Sequence, residues 1–368
     1  MLNSSAFAAD LLRWYHASAA DLPWRRDNNP YYVWLSEIML QQTQVTAVIP
    51  YFERFLAAFP TVQALAAAPL DSVLKQWEGL GYYSRARNLH KAARQIVDHY
   101  HGEFPTTAAE LAKLPGIGRY TANAIASISF GEPVAVLDGN VMRVLTRIED
   151  IPDDITRTAT QKRLWGIAQS LVPAERAGDY NQAMMELGRT LCRPRQPLCL
   201  LCPVASYCLA LLEGTQNQRP VKAPKAETPH YNVAAGVIYE PSGRFLIAQR
   251  PAEGLLGGLW EFPGGKQEPD ESLPDCLKRE LMEELAIQVE VGELVTVVRH
   301  AFTHFKITLH AFECRHLSGE PQTIGCAAWR WVTLADLDQF AFGRADQHVI
   351  TALRRSQSGG TVLESRPT

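Results

Sequence analysis

Two carboxylates stand in local sequences that suit different tasks. Glu37 lies in Trp34-Leu35-Ser36-Glu37-Ile38-Met39-Leu40. A lone Glu on a helix is usually a solvated charge. Apolar neighbours, however, disfavour the anion, so Glu37 can hold a proton and act as a general acid. Asp138 precedes Gly139-Asn140-Val141 at the expected start of a helix. Asp is a common N-cap, and the positive end of the helix dipole favours its ionised form. An ionised carboxylate in that position can also stabilise positive charge.

Two further groups of side chains could hold metals. Seven cysteines is an odd number, and four of them are Cys192, Cys199, Cys202 and Cys208. Such clustering suggests a metal site in a reducing compartment rather than a disulfide framework. The C-x6-C-x2-C-x5-C spacing leaves zinc and a [4Fe-4S] cluster both open. Glu280, Glu283 and Glu284 share one face of an expected helix and could coordinate Mg²⁺, or could be a solvated acidic face. Leu114-Pro115-Gly116-Ile117-Gly118 lies between two helical stretches. Its glycines permit positive φ and close backbone approach, and the helix that follows offers free N–H groups to a phosphate. Such a turn grips backbone and carries no sequence information.

The elements around these residues fall into two textures. The 368 residues are 46% apolar and 20% charged, as expected of a soluble globular protein of two or three domains. Net charge is −3, so contact with a polyanion must come from local patches. No segment reaches the roughly 20 apolar residues of a membrane helix, and residues 1–10 lack a secretory pattern, so cytoplasm is expected. Residues 1–212 read as helical, with apolar residues at spacings of three and four. In 82–99, Ala86, Leu89, Ala93 and Ile96 share one face, while Arg87, Lys91 and Arg94 share the other. Residues 213–229, broken by Pro220, Pro224 and Pro229, read as a linker. Residues 230–355 are α+β, with strands expected at 233–239, 245–249, 294–300 and 307–313 and a helix at 273–285.

Leu-Pro-Gly-Ile-Gly-Arg-Tyr-Thr-Ala, from Leu114, resembles the helix-hairpin-helix of DNA repair glycosylases, and Asp138 lies where that family has its catalytic aspartate. The segment around Glu37 resembles the adenine-specific branch, the adenine DNA glycosylases. The resemblance implies an all-α helix-hairpin-helix glycosylase domain with an iron–sulfur module and an α+β Nudix-like C-terminal domain. It implies excision of adenine mispaired with 8-oxoguanine or guanine in duplex DNA. Glu37 would protonate adenine N7, and Asp138 would stabilise or transiently capture the oxocarbenium ion, with Tyr120 and Asn140 nearby. Strand-nicking relatives carry a lysine where this chain has Tyr120, and a phenol forms no imine, so a monofunctional glycosylase is expected. Gln42 and Tyr82 would wedge the duplex, and Gln41, Leu114, Gly116, Gly118 and Arg87 would touch DNA. Arg25 and Gln182 match positions near the flipped adenine. The cysteine pattern resembles the family's [4Fe-4S] site.

Downstream, Gly265, Glu271, Arg279, Glu280, Leu281, Glu283, Glu284 and Ile287 match a Nudix box, and Ala286 replaces its usual glycine. Phe302-Thr303-His304 falls where the family's loop, usually Phe-Ser-His, reads 8-oxoguanine. Three alternatives stand beside this reading. A bifunctional oxidised-pyrimidine glycosylase is opposed by Tyr120, Glu37 and the C-terminal domain. A Mg²⁺-dependent hydrolase of oxidised nucleoside triphosphates would use the Nudix box. A non-catalytic lesion-binding protein is disfavoured by Glu37 and Asp138. The expected partner is mismatched duplex DNA rather than a membrane, for a monomer associated with the nucleoid.

Overall fold

The computed structural model describes residues 4–223 and 228–357. The chain forms two compact units. One comprises Met1–Ala67 and Asn88–Lys225, the other Ala68–Arg87 and Ala226–Thr368. The second unit therefore includes twenty residues from within the helical half of the sequence.

In the first unit, four helices carry the residues of interest. The Pro30–Leu40 helix starts on Pro30, whose fixed φ suits a first turn, and the Asn29 side chain caps it by accepting the Tyr31 N–H at 2.9 Å. Trp34, Leu35, Ile38 and Met39 bury its length. Arg119–Phe130 starts at Gly118 and ends on Gly131 in the left-handed region. Gly139–Ile148 is capped by Asp138, as its sequence predicts. Ala177–Thr190 packs against both of these, and Tyr180, Ala183, Met184 and Leu187 join Val141, Val144 and Leu145 in the core.

Two glycines set how closely these helices approach. A Cβ on Gly178 would lie 2.6 Å from the Ser127 carbonyl oxygen, and one on Gly188 2.6 Å from Asn140 Cβ. In the hairpin turn, Gly116 has φ +73°, and a Cβ there would meet Asn88 Cβ at 2.6 Å.

The second unit is a mixed sheet between two helices. His230–Tyr239 runs parallel to Lys306–Ser318, which pairs antiparallel with Gln288–Ala301. Phe245–Gln249 joins Ala328–Val332 and Trp260–Glu261 on the other side, and Gly264–Lys266 pairs with His230–Tyr239. Leu273–Leu285 covers one face through Leu277, Leu281 and Leu285. Arg344–Gln357 covers the other through Val349, Ile350 and Leu353. Each strand expected from the sequence lies within an observed one. Ala286 ends the Leu273–Leu285 helix in the left-handed region at φ 56°, so the usual turn forms without glycine, at a cost of about 1 kcal/mol.

The segment 68–87 is held by hydrogen bonds within the second unit. Lys75 Nζ donates to the Phe340 carbonyl at 2.8 Å, and Phe342 N–H donates to Glu78 at 2.9 Å. The polar stretch 213–229 is not free throughout. Thr215 bonds Asp150 at 2.6 Å, and Val221 pairs with Asp154, so its first half belongs to the first unit; residues 224–227 lie outside the described residues. Local composition reads such a stretch as polar but cannot see these partners.

Because the atoms facing Gly178 are backbone, Gly178→Ala must displace a helix. We expect about 2 kcal/mol of destabilisation and a Tm roughly 5 °C lower in a circular dichroism melt. An unchanged Tm would contradict this packing.

Candidate active site

A cleft of about 730 Å³ in the first unit is lined by Arg25, Glu37, Tyr120, Asp138, Asn140 and Gln182, among others. Six residues drawn from separate sequence segments thus meet in one place. Gln41 and Gln42 lie at its edge, following the Pro30–Leu40 helix.

Glu37 is only 7% exposed. The Tyr120 hydroxyl donates to Glu37 Oε2 at 2.6 Å. Burial pushes the Glu37 carboxyl up to about 7, with nearby Asp138 adding to the rise while the Tyr120 bond and Arg25 oppose it. It can therefore deliver a proton at neutral pH. Burial also pushes Tyr120 far up, which keeps it a neutral donor.

Asp138 is differently placed. Its Oδ1 accepts the Val141 N–H at 2.7 Å and its Oδ2 accepts Asn140 Nδ2 at 2.8 Å. Burial raises its pKa, against these bonds and the Arg143 charge. Helix-terminal position alone predicts a lowered value, so enclosure in the cleft outweighs the cap. Asn140 is itself fixed: its Oδ1 accepts Arg143 Nη2 at 2.8 Å, while Arg143 also donates to the Gly188 carbonyl at 2.7 Å and the Cys192 carbonyl at 2.8 Å.

Sequence reasoning passes over Glu186. It is 2% exposed and lines the cleft. Arg25 Nη2 donates to it at 3.1 Å and Arg189 grips both its oxygens. Burial pushes this carboxyl up, but the bonds from Arg189 and Arg25 win and hold it low. Arg25 is thereby fixed as a wall of the cleft. A charged residue amid Ala183, Met184 and Leu187 was the available signal.

The four cysteines also meet. Cys192, Cys199, Cys202 and Cys208 line one small cavity with Val144 and Leu187. Arg147 Nη1 donates to Cys192 Sγ at 3.2 Å and to the Arg193 carbonyl at 2.8 Å. Among the described residues, no three Cys, His, Asp or Glu side chains converge as a single metal ion requires. Four cysteine side chains around one apolar cavity fit a thiolate-ligated group.

The DNA-facing candidates separate by surroundings. At Gly118 a Cβ would meet nothing within 4 Å, so its backbone is approachable, whereas the Leu114 side chain is buried and only its main chain could serve. Gln42 and Tyr82 both hold positive φ, 59° and 49°, an uncommon conformation for such residues. Within the second unit the Tyr82 hydroxyl is hydrogen-bonded to Thr303 Oγ1 at 2.6 Å. Phe302 and Thr303 are half-buried and His304 is exposed. Arg87, the expected phosphate contact, is already engaged within the second unit. It is half-buried and donates to the Gly257 carbonyl at 2.6 Å.

The candidate Mg²⁺ ligands lie in electrostatic reach of one another, with Arg279 beside two of them. Glu280 and Glu283 both pair with Arg279 Nη1 at 3.1 Å, and Glu283 is turned outward. Glu284 packs at Gly325 and is pushed up to about 7 by burial and by nearby Glu261. Helical spacing placed three carboxylates on one face, but Arg279 draws two of them to itself.

Residues 35–170 match the family described as HhH-GPD superfamily base excision DNA repair protein, and residues 234–352 match the NUDIX domain. The chain is 37% identical to the adenine DNA glycosylase of Homo sapiens, over 98% of this chain and 76% of that protein. The chain belongs to the adenine DNA glycosylase family. Another member, from Buchnera aphidicola subsp. Acyrthosiphon pisum (strain APS), is 36% identical over 81% of this chain and 83% of its own length. Among solved structures, a thermostable thymine-DNA glycosylase aligns with TM-score 0.51 and 26% identity, over 57% of this chain and 97% of that one. This adenine DNA glycosylase family member is thus a base-excision DNA glycosylase whose helical unit bears the cleft and whose second unit is Nudix-like. Its substrate is DNA. Among the described residues no helix is long and apolar enough to cross a membrane.

With Glu37 as general acid, kcat/KM for base release should fall as pH rises through about 7. A profile flat from about pH 6 to 9 in a steady-state pH series would remove Glu37 from that role.

Proposed function

We propose that this protein excises adenine mispaired with 8-oxoguanine or guanine, as a glycosylase without efficient lyase activity. The observation that carries this is a buried, neutral-leaning Glu37 held by Tyr120 in the same cleft as a fully hydrogen-bonded Asp138. The adenine is extruded from the stack into the cleft, with Gln42 and Tyr82 filling the space it leaves. Glu37 donates its proton to N7. The N-glycosidic C–N bond breaks, and its electron pair leaves with adenine. Asp138, held by Val141 and Asn140, stabilises the oxocarbenium ion at the sugar. Water adds to the anomeric carbon and gives up a proton, leaving an abasic site. Arg25 and Gln182 line the cleft as contacts to the base edge. Tyr120 has no amine to attack the sugar, which supports base release without strand nicking.

The opposite base is read in the Nudix-like domain by Phe302, Thr303 and His304. We take the glycosylase domain as 1–212 apart from the 68–87 segment, and the Nudix-like domain as 230–355 with that segment added; 213–229 connects them, its first half held by the first unit. Cys192, Cys199, Cys202 and Cys208 would hold a [4Fe-4S] cluster, which cross-links the 192–208 loop; base excision itself needs no electron. The protein acts as a monomer on nucleoid DNA in the cytoplasm.

Glu37→Gln and Asp138→Asn should each cut single-turnover adenine release by at least about 100-fold while leaving A:8-oxoguanine binding in place. Release near the wild-type rate from either variant would sink the assignment. For the cysteines, purified protein should contain about four irons and four sulfides per chain and be brown. Colourless protein containing zinc would overturn the cluster.

A further inference from the structure

Several Nudix-box residues hold one another and the adjoining short strand. Glu271 accepts Arg279 Nη2 at 2.8 Å, Arg279 Nε at 3.1 Å and the Glu268 N–H at 2.7 Å. From this clamp Arg279 Nη2 reaches the Lys266 carbonyl at 3.2 Å. On the other side, Gly264–Lys266 pairs with His230–Tyr239, placing Val233 opposite Lys266. A Cβ on Gly264 would lie 2.0 Å from the Ala234 carbonyl oxygen, so the short strand is pressed against its neighbour. The Lys266 main chain is therefore gripped from two directions.

Its side chain is exposed and carries its charge on aromatic faces. The ammonium lies 4.2 Å from the Tyr231 ring centre and 5.5 Å from that of Phe305. Among the described residues no carboxylate forms an ion pair with it. Two ring faces restrict and partly desolvate the ammonium while leaving its charge available to an outside anion. Phe305 also belongs to the turn that bears the lesion-reading residues. Its ring lies 4.7 Å from that of Phe302, and its carbonyl accepts the Phe302 N–H at 2.8 Å. The cation thus stands one ring away from Phe302-Thr303-His304. In a chain of net charge −3, affinity for a polyanion must come from such placed cations.

We propose that the Nudix box of this protein serves to aim Lys266, braced on Tyr231 and Phe305, at a phosphate of the DNA strand whose base the Phe302–His304 turn reads. The proposal rests on the lesion-reading assignment above. The chemistry recognised is a phosphate oxyanion, which a free nucleoside triphosphate would also present, and the test separates the two sources.

Full-length wild type, Lys266→Met, Lys266→Arg and Lys278→Met are titrated by fluorescence anisotropy with an A:8-oxoguanine duplex carrying a non-cleavable adenosine analogue, across a salt series. Methionine keeps the apolar stem and removes the charge. Lys278, on the box helix and 3.9 Å from Asp275, is the control. We expect Lys266→Met to bind several-fold more weakly, with the log Kd against log salt slope smaller by about 0.9, one phosphate's worth. Lys266→Arg should restore both, and Lys278→Met should match wild type. Binding and slope unchanged in Lys266→Met would overturn the proposal. So would a Lys266-dependent affinity for 8-oxo-dGTP with no change in DNA binding, which would assign the cation to a nucleotide. Adenine release by wild type is followed separately. Its absence would defeat the glycosylase reading, whereas the binding arm tests Lys266 whatever that outcome.

Discussion

A carboxyl group enclosed in a protein can shed its charge or be supplied with donors, and the two carboxylates of this cleft take different routes. Glu37 has one donor, the Tyr120 hydroxyl, and burial drives it towards the neutral form. Asp138 has a helix N-terminus and an amide, and Arg143 stands behind that amide. Much of the first unit's local architecture follows from keeping these two environments apart. Arg143, which holds Asn140, is also tied to Gly188 and Cys192, and the helix bearing Gly188 can come that close only because Gly188 has no side chain. A change in the packing of that helix would therefore reach the carboxylate through the amide.

The parts of the site that local chemistry dictates were legible in the sequence. An Asp before Gly-Asn caps a helix, and apolar residues around Glu37 bury it. Clustered cysteines share a cavity, and β-type segments marked strands of the sheet. What was not legible depends on partners distant in the chain. Glu186 looks like one more helical glutamate until Arg25 and Arg189 close on it. Arg87 reads as a free cation, yet Gly257 supplies it with a carbonyl. Helical spacing put Glu280, Glu283 and Glu284 on one face, but it says nothing of Arg279, which pairs with two of them. Segment 68–87 reads as helical by pattern, and no periodicity reveals which compact unit it joins.

The Nudix box forms its expected local architecture in this chain. The Glu271–Arg279 clamp, the close approach at Gly264 and the left-handed turn at Ala286 all form. That turn forms without glycine, so the helix end is fixed by the surrounding packing rather than by the residue's own preference. What the box positions in this chain is backbone, and the backbone positions Lys266.

The twenty residues 68–87 give the molecule an unusual covalent topology. The chain leaves the first unit after Ala67, returns at Asn88, and leaves again after Lys225. Three peptide links, not one, join the two units. A single cut in the polar stretch after residue 212 would leave the pieces attached through the other two links. The second unit also cannot be exchanged as one contiguous stretch of gene, because part of its fold is encoded within the sequence of the first. The two units are bound to a shared history of insertion and deletion, and change near residues 68–87 must satisfy both.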